Sequence, residues 1–194
     1  MGKNIAGVSS LEVAGENGTH FKMSHGEMLK DDGRLQQGNI DVYYRPQKPG
    51  EKFQTDEFIL AGTGKPESFR PGFTYHGFRY VEVTADRPVK LTADNVKGYF
   101  MHTDVQPVGS FESSEPLLGK IYDATMLSYV DNLHSIPTDC PQREKNGWTA
   151  DAHVAIDLAL QNYDGITLYE KWMNDFADNQ RDNGNIAGII PSCG

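Results

Sequence analysis

Apolar residues recur with a period of two through the first half of the chain, as in Leu11/Val13, Phe21/Met23, Ile40/Val42/Tyr44, Phe58/Leu60 and Val81/Val83, with Gly and Pro between the runs. Successive side chains point to opposite faces of a strand, so short alternating runs separated by turn formers predict an antiparallel β-sandwich or jelly roll. The aromatic segment FRPGFTYHGFRYVEV, residues 69–83, alternates imperfectly. That is the habit of strands buried on both faces or bent at a glycine, and it places the segment near the sheet core.

After Gly109 the period lengthens. Leu117/Leu118, Ile121/Tyr122, Met126, Tyr129/Val130 and Leu133 recur at three-to-four spacing behind Ser113, Ser114 and Pro116, which predicts a helix over about 115–134. Two more helices are predicted, around Asp151–Asn162 and Leu168–Gln180, each closed by a Gly- or Asn-rich turn. Strands followed by helices, without alternation, argue for segregated units rather than a parallel βαβ sheet. The expected division is a β-sandwich portion over 1–106 and a helical portion over 107–194, with the boundary inside DVQPVGSFE, 104–112. Three helices make a poor closed domain.

Charge narrows the partners. Acidic residues outnumber basic ones 27 to 18, for a formal charge of −9, and no Lys/Arg cluster stands out. That balance argues against nucleic acid and anionic membrane surfaces and leaves neutral ligands such as sugars. No apolar run approaches the roughly 18 residues of a membrane span, so a soluble protein is expected, with its compartment and oligomeric state open. Cys140 and Cys193 are too few for a disulfide framework and too far apart to suggest a metal site; both read as free thiols, and neither metal nor cofactor is expected.

The stretch with most chemistry is DCPQREKNGWTADAH, residues 139–153, which sets Asp139, Glu144 and Asp151 beside Arg143 and Trp148. One continuous helix would align Glu144, Trp148 and Asp151 on a face, but Asn146 and Gly147 oppose it. A turn after Pro141, a break at Gly147 and a helix capped by Thr149, with Asp151 in its first turn, fits better. Neighbouring negative charge and an apolar wall each favour the protonated carboxylic acid. A proton held in that way is what general acid catalysis on a glycosidic oxygen requires. The bland reading of the same residues is a solvated helix entry with Asp as cap.

The motif DCPQRE followed by GWTADA resembles the signature of bacterial α-L-rhamnosidases, glycoside hydrolase family 78. GKNIAG and GTHFKMSHGEML are similar to the family's β-domain, and FTYHGFRYVEV to a strand pair just before its catalytic domain. GSFESSEPLLGKIY resembles the linker and first barrel helix, and KWMNDFADNQRDNGNIAGIIP a later barrel segment. The resemblance implies part of a β-sandwich domain joined to the start of an (α/α)6 barrel, and inverting hydrolysis of terminal α-L-rhamnose from glycosides. It gives Glu144 the place of the general acid. It also implies that Asp139 and Asp151 hydrogen-bond sugar hydroxyls, that Trp148 walls the sugar subsite and that Arg143 shapes it. Lys145, Asn146, Ala150 and His153 depart from the family's usual residues. An inverting enzyme needs a second carboxylate roughly 6.5–9.5 Å from the first. In the family that base lies later in the barrel, so a fragment holding the acid alone, with little or no activity, is expected.

Other readings are weaker. Cys140 with His134 or His153 suggests a thiol enzyme, yet the nearby carboxylates oppose a thiolate. His25-Gly26-Glu27 lacks the Pro-Cys-x-x-Cys partner of a zinc deaminase and reads as a strand end. A calcium loop from Asp178 would need Gly at Asn183 and Glu at Ile189. The runner-up from another class is a non-catalytic carbohydrate-binding β-sandwich, with Trp148 or exposed Tyr residues stacking on a saccharide.

Overall fold

One long strand organises the first half of the protein. In the computed structural model, which describes residues 1–42, 44 and 49–192, β1 (Ile5–Val13) runs through the centre of an antiparallel sheet. The other elements of this half are β2 (His20–Gly26), β3 (Met28–Leu29), β4 (Leu35–Gln36), α1 (Gly38–Asp41), β5 (Thr55–Ile59), β6 (Glu67–Phe69), β7 (His76–Phe78), β8 (Tyr80–Ala85) and β9 (Val96–Phe100). Strands β7 and β6 bind successive halves of β1 on one side, at Gly7↔His76 and Leu11↔Phe69, while β9 binds the other side. A second antiparallel sheet has the order β5-β2-β8. At Gly7 a Cβ would stand 1.9 Å from the Tyr99 carbonyl oxygen, so only glycine lets β9 approach there.

Alternation decides the core. Leu11, Val13 and Phe69 from the first sheet meet Phe21, Met23, Phe58, Val81 and Val83 from the second, which gives a β-sandwich of antiparallel sheets. The segment 69–83 behaves less uniformly than its composition suggests. His76, Gly77 and Phe78 are buried, but Phe73 stands fully in solvent because it lies in the turn before β7. The strand expected at Ile40/Val42/Tyr44 is replaced by the short helix α1, in which Ile40 is buried and Val42 is 75% exposed. Two alternating residues after Gln37-Gly38-Asn39 are too few to resist a helical turn.

One end of this sandwich holds a polar knot. His25 Nδ1 lies 3.0 Å from the Gln54 carbonyl, an acceptor only, so this nitrogen carries a proton; Nε2 lies 2.7 Å from Ser9 Oγ. His76 Nε2 donates to Asp56 Oδ2 at 3.0 Å, and its Nδ1 is buried without a hydrogen-bond partner. Ligand atoms of His25, Asp56 and His76 come within 4.8 Å of one another. The rings, however, stack at 4.1 Å and 21°, which aims their in-plane lone pairs side by side rather than at a common point. The knot therefore reads as structure, tying β1, β2, β5 and β7 together. His25-Gly26 does end a strand, as its sequence suggested.

The chain separates by its contacts into Met1–Met101 and His102–Gly194. The second unit contains β10 (Gln106–Pro107), α2 (Pro116–Val130), α3 (Thr149–Asn162), β11 (Tyr163–Asp164) and α4 (Ile166–Asn179), with β10 paired to β11. Pro116 opens α2, where its missing N–H costs nothing, and Glu115 Oε1 accepts from the Leu117 N–H at 3.2 Å. The core joins Tyr129, Val130 and Leu133 to Ala152, Ala159, Leu168, Tyr169, Trp172 and Ile190. Its polar atoms are paired: Tyr129 and Tyr169 hydroxyls meet at 3.2 Å, and the Trp172 indole donates to the Ile190 carbonyl at 2.9 Å. Among the described residues no helix is long and apolar enough to cross a membrane.

Candidate active site

Residues 139–148 form the second part of the link between α2 and α3, and side-chain and backbone bonds hold its shape. Asp139 closes the link on itself: its N–H donates to the Asn146 carbonyl at 2.9 Å, and its Oδ1 accepts from the Asn146 N–H at 2.8 Å. The Cys140 thiol donates to Asp139 Oδ2 at 2.9 Å, and its sulfur accepts from the Glu144 N–H at 3.3 Å. Lys145, at φ 55°, turns the chain back.

A second segment fixes the exit. Gly147 and Ile190 lie so close that a Cβ at 147 would stand 2.1 Å from the Ile190 carbonyl oxygen, while the Ile190 N–H donates to the Gly147 carbonyl at 2.9 Å. Trp148 and Ile189 form an antiparallel bridge. Thr149 does not cap α3 as the sequence suggested. It is the first helical residue, and its N–H and hydroxyl both donate to the Gly188 carbonyl, so its side chain is committed to the 186–190 segment. Asp151 does fall in the first turn, where the helix dipole favours a negative charge.

These bonds place the residues singled out from sequence in two groups joined by one loop. Asp139 and Asp151 line a cavity of about 250 Å³ between α2 and α3, together with Thr125, Ser128, Asn132 and Thr138. Glu144 and Trp148 form the other group, with the indole N–H donating to Glu144 Oε2 at 3.1 Å, and Trp148 lines a separate cavity with Arg181, Asn185 and Gly188. Both are solvent-exposed, Trp148 at 37%. Arg143 is half-buried in the same link. Cys193 lies outside the described residues.

The polar residues on α2 and just after it that line the cavity escaped the sequence reading. Ser128 and Asn132 are one helical turn apart, and Asn132 Nδ2 donates to the Ser128 carbonyl at 3.1 Å while its own carbonyl accepts the Thr138 N–H at 2.8 Å. The available signal was polar spacing of four next to the acidic motif, on a helix otherwise read for its apolar face. Beside the link, burial pushes His134 down to about 4 against the opposing pull of the Asp131 carbonyl, which its Nε2 meets at 3.1 Å. Burial, then the bond to Asp139, raises the Cys140 thiol.

Residues 1–102 match the family model of the bacterial α-L-rhamnosidase concanavalin-like domain, and residues 106–194 that of the bacterial α-L-rhamnosidase 6 hairpin glycosidase domain. The chain belongs to the bacterial α-L-rhamnosidase family. An α-L-rhamnosidase of Formosa agariphila is 39% identical over 177 residues, covering 90% of this chain and 18% of that protein. The solved α-L-rhamnosidase of Dictyoglomus thermophilum superposes with a TM-score of 0.87 at 36% identity, over 98% of this chain and 20% of that one. The Streptomyces avermitilis α-L-rhamnosidase, crystallised in complex with L-rhamnose, gives 0.86 at 34% identity over 100% and 18%. The chain thus spans about a fifth of the length of these rhamnosidases. Their architecture agrees with the order found here, antiparallel β-sheets followed by helices.

Proposed function

We propose that this chain is the part of an α-L-rhamnosidase that supplies the general acid and one side of the sugar pocket. Unit 1 is then a portion of the β-sandwich domain, and unit 2 the opening of the six-hairpin domain. The observation that carries the reading is one loop that holds both the hydrogen-bonded Glu144–Trp148 pair and Asp139, which with Asp151 lines a cavity, in a family with a member crystallised with L-rhamnose.

Glu144 donates its proton to the glycosidic oxygen as the bond to the anomeric carbon breaks, which spares the departing aglycone a negative charge. The Trp148 N–H then stabilises the carboxylate left behind. Asp139 and Asp151 accept hydrogen bonds from ring hydroxyls, the indole packs on an apolar sugar face, and Arg143 shapes the subsite. In an inverting reaction a second carboxylate, roughly 6.5–9.5 Å from Glu144, activates water on the opposite face. We assign that base to a residue outside this chain, so the 194 residues alone hold half of the catalytic pair.

The test is hydrolysis of an aryl α-L-rhamnoside by the full-length enzyme. Glu144→Gln is expected to lower kcat by about 10³-fold, within the usual range for losing one acid–base group, with rhamnose binding retained. NMR of the first product formed should show the β-anomer. Rhamnose binding without turnover by the wild type would assign the protein to carbohydrate-binding modules instead, and an α-anomer would refute inversion.

A further inference from the structure

Cys140 sits between the two carboxylate-bearing residues of the loop and touches the scaffold of both. It is 8% exposed, with Sγ 2.9 Å from Asp139 Oδ2 and 3.3 Å from the Glu144 backbone nitrogen. A thiol is both a weak donor and a weak acceptor, and here it uses both roles at once. Its long C–S bond and large sulfur reach across a gap that a hydroxyl on the same Cβ spans less well.

Burial and the Asp139 carboxylate keep the proton on sulfur. That removes the thiolate a nucleophile requires and leaves an S–H available to donate. Residues 139–147 contain no helix or strand, so side-chain bonds add to the backbone bonds at Asp139–Asn146 and Gly147–Ile190 in holding the loop. Three side-chain bonds link Asp139 and Glu144 through this loop: Asp139 to the Asn146 N–H, Cys140 to Asp139, and the Glu144 N–H to Cys140.

We propose that Cys140 is a positioning residue for glycoside hydrolysis: its thiol sets the spacing between the sugar-binding carboxylate Asp139 and the stretch of backbone that presents Glu144. The inference rests on Glu144 being the general acid. Glu144 must meet the glycosidic oxygen while Asp139 holds a ring hydroxyl of the same sugar, so an error in their separation is an error in the reacting geometry. The thiol touches neither sugar nor water in this role. Removing it loosens both groups together.

The experiment compares Cys140→Ala, Cys140→Ser and Glu144→Gln in the full-length enzyme on an aryl α-L-rhamnoside across pH. Misplacement on the scale of an ångström costs up to about 100-fold in rate, so Cys140→Ala is expected to lower kcat roughly 10- to 100-fold, more than it raises KM. It should also displace the basic limb of the pH–rate profile, which reports the acid. Cys140→Ser keeps a donor and acceptor and should recover part of the loss. A Cys140→Ala enzyme with wild-type kcat and an unmoved basic limb overturns the proposal, whatever its melting temperature, and so does a Ser variant no better than Ala. Should Cys140→Ala not fold, Cys140→Ser decides alone, a moved basic limb supporting the role and an unmoved one overturning it. Glu144→Gln keeps the two readings apart. If it hydrolyses at the wild-type rate, the acid assignment itself falls; if it is dead while Cys140→Ala is normal, only the positioning role falls.

Discussion

Each unit of the chain gathers ionisable side chains around an aromatic ring, but the surroundings differ. In unit 1 the stacked rings of His25 and His76 lie inside the sandwich, with three ring nitrogens bonded to Ser9, Gln54 and Asp56. In unit 2 Glu144 and Trp148 meet at the surface, and Asp139 and Asp151 face an open cavity. His76 keeps one ring nitrogen, Nδ1, without a partner, but it is buried inside the sandwich, where a ligand does not reach it. Asp139 is fixed by the Asn146 N–H and the Cys140 thiol and Glu144 by the Trp148 indole, and a carboxylate oxygen that accepts one hydrogen bond keeps a second lone pair for a substrate. Access to solvent, more than residue type, separates the structural cluster from the candidate site.

The largest effect should come from cutting the buried cluster. His25→Ala removes a ring packed against His76 and Phe78 and strands the Ser9 hydroxyl, which should cost roughly 3–5 kcal/mol of stability, as for other large-to-small core changes. Denaturant titration reads the loss, and kcat per folded molecule should be unchanged. An altered KM for rhamnoside would break the comparison. Gly147→Ala is next. The added Cβ collides with the Ile190 carbonyl rather than with a flexible side chain, so about 2–4 kcal/mol is expected, the upper part of the range for single substitutions. Here activity should fall too, because the same contact orients Trp148.

Trp148→Phe sharpens the contrast from the other side. It keeps an apolar wall but deletes the N–H that meets Glu144. Stability should change by no more than about 0.5 kcal/mol, as at other exposed positions, while kcat drops roughly tenfold, about the worth of one hydrogen bond to a charged group. A stability loss equal to that of His25→Ala, with normal kcat, would place Trp148 among structural residues.

The division into strands and helices was legible because a period of two, as in Leu11/Val13 and Phe21/Met23, gives way to three-to-four spacing at Leu117–Leu133. These patterns reflect which face is buried, and they survived into the cores of both units. The short helix at Gly38–Asp41 was not legible, since Ile40/Val42 offers a single alternation that either structure satisfies. Nor was the knot of His25, Asp56 and His76, whose members come from three strands distant in sequence. The acidic motif was visible as a motif because its residues are contiguous. Its geometry was not: Trp148 reaches Glu144 without a helix between them, through a loop fixed by Cys140, Gly147 and the remote segment 186–190.

The smallest effect concerns His134, which lies next to the acidic loop in sequence and has the burial of a structural residue. Its ring donates to the Asp131 carbonyl, and burial, with Lys145 and His102 nearby, holds its folded value at about 4. An unfolded histidine titrates near 6.5, so between about 6.5 and 4 the unfolded chain takes up a proton that the folded chain refuses. This contribution to stability is therefore complete above about pH 6.5 and is lost as pH falls towards 4. His134→Gln cannot titrate there, and denaturant unfolding at pH 7 and pH 5 should show a smaller difference than in the wild type. The pH–rate profile for rhamnoside should keep its shape, since burial and not proximity decides the role. A profile altered by His134→Gln would show that the two classes of ionisable residue are coupled through the loop that separates them.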